Sequence, residues 1–298
     1  RELAPYANEL QFLLNQINQA GGLSFIAHPF DPAMNFYPLE EIPWEDWQAQ
    51  SSTGMEIWNG MSEFKGLARS KLLALLYGFF PAWIARGADR QTLKKWDELT
   101  QSGQRVVAVG GSDAHAFRIR LGPFIKTVFP YSYHFRLINN HLLLEEGLNG
   151  DLVHDRRLIL SALRQGHSFV GYDLPAPTRG FNFSAAGKNR TAIMGDSLRL
   201  STGVTFQIRL PFRGPICTLL RNGQAIKTWR DTEFCTYITN QPGVYRVEVR
   251  LQYLLRERGW IYSNPINILS NDSPIRGADD QQQRNPSDGL PQDYLPGL

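Results

Sequence analysis

The sequence predicts an α/β unit followed by an all-β unit. Three observations carry this. The first third places short apolar runs between helical stretches, as parallel strands joined by crossover helices do. Those runs break at their carboxyl ends and deliver His, Asn or Asp there. From about residue 179 the texture changes to short runs of alternating polarity at regular spacing, the pattern of an antiparallel sandwich.

The bulk numbers bound the rest. A chain of 298 residues has room for two domains. Hydrophobic residues make up 42% and charged residues 20%, enough for a substantial core. Lys and Arg number 31 against 28 Asp and Glu, so no basic stripe marks a nucleic-acid binder. No apolar run reaches the ~18 residues of a membrane span. Leu72–Ala85 comes nearest, but Pro81 interrupts it, and it reads as a core or partner-facing helix. The chain opens on R-E-L-A-P-Y, with neither an initiator Met nor a signal peptide, so processing or truncation is expected to have removed any targeting signal. The compartment stays open, with the cytoplasm favoured.

Taken in order, residues 5–20 form an amphipathic helix, with Leu10, Leu13, Leu14 and Ile17 on one face and Gly21-Gly22 ending it. Leu23–Ala27 is a short strand running into His28-Pro29. Pro29, Pro32 and Pro38 hold the next segment irregular, and Trp44 and Trp47 anchor it by packing. Gly54–Gly60 is a second strand, with Glu56 inside it and Asn59 at its end. A carboxylate in a buried strand needs a partner or a cation, so Glu56 either serves a ligand cluster or lies on a half-exposed strand face. Helical stretches follow at 64–78 and 90–102. Val106–Val109 is a third strand, broken by Gly110-Gly111, after which come Asp113 and His115.

Parallel strands point their carboxyl ends the same way, which places His28, Asn59, Asp113 and His115 on one face within reach of Glu56. A carboxylate and imidazoles suit a borderline divalent ion. A lone D-x-H triplet carries little; its convergence with His28 carries more. Arg118 and Arg120, just beyond, offer a clamp for an anionic group or form a solvated strand face. His134 and His141 fall on one helix, facing solvent or partners, and His154 and His167 flank the 155–165 helix as structural residues.

The motifs A-H-P at 27–29, G-M-E-I-W-N-G at 54–60 and V-G-G-S-D-A-H at 109–115 resemble later motifs of the PHP (polymerase and histidinol phosphatase) superfamily. Segments 155–171, 194–196, 243–249 and 260–266 are similar to its carbaryl-esterase-like branch, in which a β-sandwich follows the barrel. The resemblance implies a distorted seven-stranded β/α barrel holding two or three divalent ions, Zn, Mn or Fe. It implies His28, Asp113 and His115 as metal ligands, with Glu56 and Asn59 beside the site and Glu56 a supporting group or fourth ligand; Arg118, from its place just after them, is the candidate catalytic group for an anionic substrate. The implied activity is hydrolysis of a small-molecule phosphoester, with carboxylic or carbamate ester hydrolysis as the alternative. The family's opening H-x-H and the ligands that follow it are absent here. Residues 1–178 are therefore expected to be the carboxyl-terminal portion of the barrel, with the rest missing or supplied elsewhere. A non-catalytic module built from a half-barrel and a sandwich is the reading from a different class.

Residues 179–270 read as the sandwich, with a hairpin turn at Arg221-Asn222-Gly223-Gln224, and 271–298 as a disordered tail. Cys217 and Cys235 fit no zinc module; a disulfide between neighbouring strands and two free thiols are the alternatives. Asn182, Asn189 and Asn271 head glycosylation-type triplets, which chance supplies often.

Overall fold

The computed structural model describes residues 9–270, apart from 35, 37–39 and 189. The expected tail, Pro38 and the triplets at Asn189 and Asn271 lie outside the described residues. The fold is mixed α/β with several sheets, the two largest of them sandwich-like, and no closed barrel forms among the described residues.

Helix α1 (Leu10–Gln19) buries Leu14. Strands β1 (Phe25–Ile26), β4 (Gly54–Asn59) and β5 (Val107–Gly111) make a three-stranded parallel sheet with β4 in the centre. The apolar run of β4 suits that position, because Met55, Ile57 and Trp58 are covered on both faces. A glycine is needed at 54, where a Cβ would lie 2.0 Å from the Val107 carbonyl oxygen.

Between β1 and β4 the connection is irregular, as Pro29 and Pro32 predict, and no crossover helix spans it among the described residues. The connection carries only the two-residue strands β2 (Phe30–Asp31) and β3 (Ile42–Pro43), paired antiparallel. Trp47 stacks on Phe30 at 5.4 Å and fastens this loop. Lys65 and Asp31, both buried, form an ion pair across it.

The β4–β5 crossover is helical. The stretch expected as one helix at 64–78 is two: α2 (Gly60–Leu67) and α3 (Lys71–Phe79). Ser70 explains the break, since its hydroxyl caps α3 by accepting from the Leu73 amide at 3.3 Å. A 3-10 turn at Pro81–Trp83 leads to α4 (Arg90–Gln101), capped by Asp89. Trp96 of α4 donates its indole N–H to the Val106 carbonyl at 2.8 Å, seating the helix beside β5.

Strands β6 (Phe117–Leu121) and β7 (Phe124–Val128) form a hairpin. The helix expected to carry His134 and His141 does not form. His134 ends the four-residue α5 (Tyr131–His134) and is buried, whereas His141 lies in β8 (Ile138–Leu142). Pro130 and the β-branched Ile138 favour this division. Helix α6 (Leu152–Gln165), capped by Asp151, ends at left-handed Gly166 and leads to β9 (Ser168–Tyr172).

The sandwich strands are β10 (Asn182–Ala186), β11 (Thr191–Ile193), β12 (Ser197–Arg199), β13 (Val204–Arg209), β14 (Ile216–Arg221), β15 (Gln224–Arg230), β16 (Phe234–Thr239), β17 (Gly243–Tyr253), β18 (Arg256–Ser263) and β19 (Ile266–Leu269). One sheet runs β11-β10-β13-β16. The larger runs β12-β19-β17-β18-β9-β8, with β14 also on β17 and β15 on β14. The β14–β15 turn has left-handed Asn222 and Gly223, at φ 49° and 72°, as a two-residue hairpin of the primed type requires. Cys217 and Cys235 are free and buried. They lie on different sheets rather than on neighbouring strands, and no disulfide joins them.

Because β9 pairs with β18, and β8 with β9, the larger sheet crosses residue 178, and both halves of the chain share one core. Two asparagines seal the outer edge of β5. The Asn140 amide exchanges hydrogen bonds with Gly110 N–H and C=O at 2.9 and 2.8 Å, and Asn264 does the same for Ala108 at 2.7 and 3.1 Å. Side-chain amides thus stand in for a fourth strand. Buried Arg246 of β17 adds a bidentate pair with Asp97 of α4 at 2.7 and 2.8 Å.

Candidate functional site

All three parallel strands end toward one face, and each delivers a candidate residue there. His28 follows β1 with φ 28°, and Asp113 follows β5 with φ 50°. Left-handed backbone is uncommon outside glycine, and His and Asp are among the residue types that adopt it most readily.

Glu56 is central. Its Oε2 accepts the His28 backbone N–H at 2.8 Å and the Asn59 side-chain amide at 3.0 Å. Asn59 in turn caps α2, accepting from the Met61 and Ser62 amides at 3.0 and 2.8 Å. The carboxylate therefore fixes the end of β1 against β4. Burial raises the Glu56 pKa; the bonds from Asn59 and His28 and the His28 charge oppose the rise, and the Asp113 charge adds to it. The second glycine of the pair leaves room for the carboxylate, because a Cβ on Gly111 would lie 2.3 Å from Glu56 Oε1 and push it aside.

His115 directs Nδ1 at the Asp113 carbonyl oxygen, 2.8 Å away. That contact places the ring proton on Nδ1 and leaves the lone pair on Nε2, the tautomer a metal ligand needs. The ring stacks on Phe117 at 5.5 Å. Behind it lies His134, whose Nε2 accepts the His115 backbone N–H at 3.3 Å. Burial lowers the His134 pKa. The sequence reading placed His134 at a surface; its signal was the aromatic run Phe129–Phe135 around it, which marks a packed turn. The Nδ1 atoms of His28 and His134 are buried without a hydrogen-bond partner.

A cleft of about 490 Å³ opens beside His28, Glu56, Asn59 and Ser62 and extends to the first turn of α4. Asp113 and His115 are not among its lining residues. Arg118 is exposed on β6.

For a divalent ion the donors suit in kind and fall short in number. Orphaned His28 Nδ1 and the free lone pair of His115 are ligand chemistry. Yet among the described residues no three His, Cys, Asp or Glu side chains come together as a group that could hold a metal. The expected set of His28, Asp113 and His115 shares a face without closing into one coordination sphere.

The remaining histidines have structural partners. His141, Asp173 and Thr178 carry the residue types of a hydrolytic triad but not its geometry. Thr178 Oγ1 and Asp173 Oδ2 both contact the same ring nitrogen, His141 Nε2, at 2.8 Å, and Thr178 is fully buried. His167 pairs with Asp196 at 2.9 Å and His154 with Glu146 and Asp155, both at 3.1 Å.

The chain matches no family profile and no curated protein. Among solved structures, the neutron crystallographic structure of a Jonesia denitrificans lytic polysaccharide monooxygenase is similar over 28% of this chain and 63% of that one, at 12% identity and a TM-score of 0.19. A likeness of that size carries no argument about fold or activity.

Proposed function

We propose that this chain contributes His28, Asp113 and His115 to the metal centre of a PHP-type hydrolase acting on ester bonds, phosphoesters foremost. The further ligands come from polypeptide outside the described residues. The observation that carries this reading is the coincidence of two independent features. The candidate ligands follow the carboxyl ends of parallel strands, and two of the three stand in left-handed backbone.

When bound, divalent ions supply Lewis acidity to the scissile ester and acidify water. The chain's own residues do the positioning. Glu56 holds the His28 backbone, Asn59 holds Glu56, and His134 receives the amide of His115. The adjoining cleft takes the substrate.

One observation favours a second reading, a non-catalytic half-barrel and sandwich module: the donor group is incomplete among the described residues. The purified protein, incubated with Zn or Mn and desalted, separates the two. Retained metal that is lost in His28→Ala and Asp113→Ala, with turnover of an aryl phosphate or aryl acetate, supports the enzyme. Retained metal without turnover supports ligand donation to a site completed by another segment. No retained metal and no turnover sinks the metal reading and leaves the module.

A further inference from the structure

The sequence carries an asymmetry that the proposed site does not use. Between residues 64 and 88, and again between 114 and 144, there is no Asp or Glu, yet each stretch holds four Lys or Arg. The whole chain carries only +3. The fold brings the two stretches together. Lys71, Leu75 and Phe79 of α3 and Phe117, Ile119 and Val128 of the β6–β7 hairpin line one groove of about 370 Å³. Lys126 of β7 sits 3.7 Å over the Phe79 ring. Tyr133 of α5 donates to the Pro81 carbonyl at 2.8 Å, adding the aromatic turn to the same surface.

This surface is apolar where it should be polar. Helix α3 is hydrophobic nearly all round, and such helices are normally enclosed. Here one side packs on a small cluster around Tyr77, Ile84 and Phe129, while Leu72, Leu75 and Phe79 stay exposed. Leu72 is 75% exposed and Phe135 71%, and Phe80 and Trp83 stack together in the open; Ile125, 60% exposed, lies on the other face of the hairpin. Of the cations Lys65 is buried in an ion pair; Arg69, Lys71, Arg86 and Arg136 are exposed, whereas Arg118 and Arg120 stand on the face of the hairpin opposite Phe117 and Ile119.

We propose that this face docks on an anionic lipid bilayer. Aliphatic and aromatic side chains entering the headgroup boundary, ringed by Lys and Arg without acids, are the chemistry of an interfacial anchor. Trp83 and Tyr131 are the residue types that settle at that depth. The attachment is peripheral, because nine residues of α3 are too short to cross the ~30 Å hydrocarbon core. A second copy of the chain is a poor occupant, since a two-fold contact would set this cationic rim against itself. A nucleic-acid backbone would leave Leu72, Leu75 and Phe79 without use. This proposal does not depend on the reading of the metal site.

The test is co-sedimentation of the full chain with vesicles of phosphatidylcholine alone and of phosphatidylcholine with phosphatidylserine. Binding is expected to the second kind and to weaken with added salt. Arg69→Gln with Lys71→Gln should weaken it about 25-fold, about fivefold per cation removed. Leu72→Glu should abolish it. Both sites are exposed, so an unchanged urea midpoint verifies folding. The proposal is overturned if neither vesicle retains the protein, or if the folded variants bind as well as the parent. It is overturned equally if the protein is a dimer that Leu72→Glu dissociates, because the face then belongs to a second copy.

Discussion

Replacing Asn264 by Ala tests how the sandwich holds the strand that delivers Asp113 and His115. Asn264 is 1% exposed, and its amide makes four bonds: from Ala108 N–H at 2.7 Å, to Ala108 C=O at 3.1 Å, and to the Ser168 carbonyl and hydroxyl at 3.1 and 2.9 Å. Ser168 C=O keeps the Asn264 backbone N–H at 3.3 Å, so the Ala variant chiefly strands the two backbone groups of fully buried Ala108. Each orphaned group costs about 1–3 kcal/mol, so the variant should lose about 2–6 kcal/mol. That is a large share of the ~5–15 kcal/mol of an ordinary domain. Asn140→Ala provides the control. It removes the same pair of bonds from Gly110, but Asn140 is exposed and water can replace it, so the loss should be about 1 kcal/mol. The assay is urea unfolding, read as a midpoint change at constant m, together with amide exchange at residue 108. An Asn140→Ala loss equal to or larger than that of Asn264→Ala, or unchanged protection at residue 108, would refute the reasoning.

Other tests follow from the same contacts. Asp97→Ala leaves Arg246 buried with only Glu248, at 2.6 Å, and should cost about 3–5 kcal/mol in urea unfolding; adding Arg246→Met should recover most of that loss. Burial pushes the Glu63 carboxyl from 4.5 up to about 7, against donors from Trp58 and the Arg86 amide. Between those values the unfolded chain has released the proton and the folded one has kept it, so stability should fall as pH rises through that window, by up to about 3 kcal/mol. Glu63→Ala should flatten the slope of the urea midpoint against pH, and an unchanged slope would assign it to another group. Gly111→Ala should displace Glu56 and unprotect the His28 amide to hydrogen exchange at a cost of about 1–3 kcal/mol; an unchanged His28 amide would remove Glu56 from its positioning role. A chain ending at 178 loses β18, Asn264 and Arg246 together and should show no cooperative unfolding transition, which circular dichroism would read.

The parallel strands were legible because each is a short apolar run with an abrupt end, and local pattern is what a single sequence records best. So were the hairpin at Asn222-Gly223 and the amphipathic α1 and α4. The misread parts depend on contacts distant in sequence. Nothing near Asn264 reports that its amide binds a backbone 156 residues earlier. His134 and His141 fit a seven-residue helical spacing, and only the pairing of β8 with β9 shows that the second lies on a strand. The break between α2 and α3 was written locally in Ser70, but the apolar residues on both sides hid it. Convergence of His28, Glu56, Asn59, Asp113 and His115 on one face followed from strand direction alone. Their closure into a coordination sphere did not, because closure depends on side-chain reach.

The strain at His28 and Asp113 and the seal on β5 belong to one physical problem. A residue held in left-handed backbone costs on the order of 1–3 kcal/mol, and a loop free to relax would shed it. At His28 the relaxation is blocked by Glu56, which grips the backbone N–H from β4. At Asp113 it is opposed from both ends. The two asparagines fix Ala108 and Gly110 upstream, and His134 receives the His115 amide downstream. Three of these restraints, Asn140, Asn264 and His134, lie on or beside the strands that join the larger sheet. The sandwich is therefore part of the scaffold of the candidate site, and its asparagines do for β5 what a neighbouring strand would do in a closed barrel. That substitution leaves β1, at the opposite edge, as the strand of this sheet without a neighbour on its outer side among the described residues.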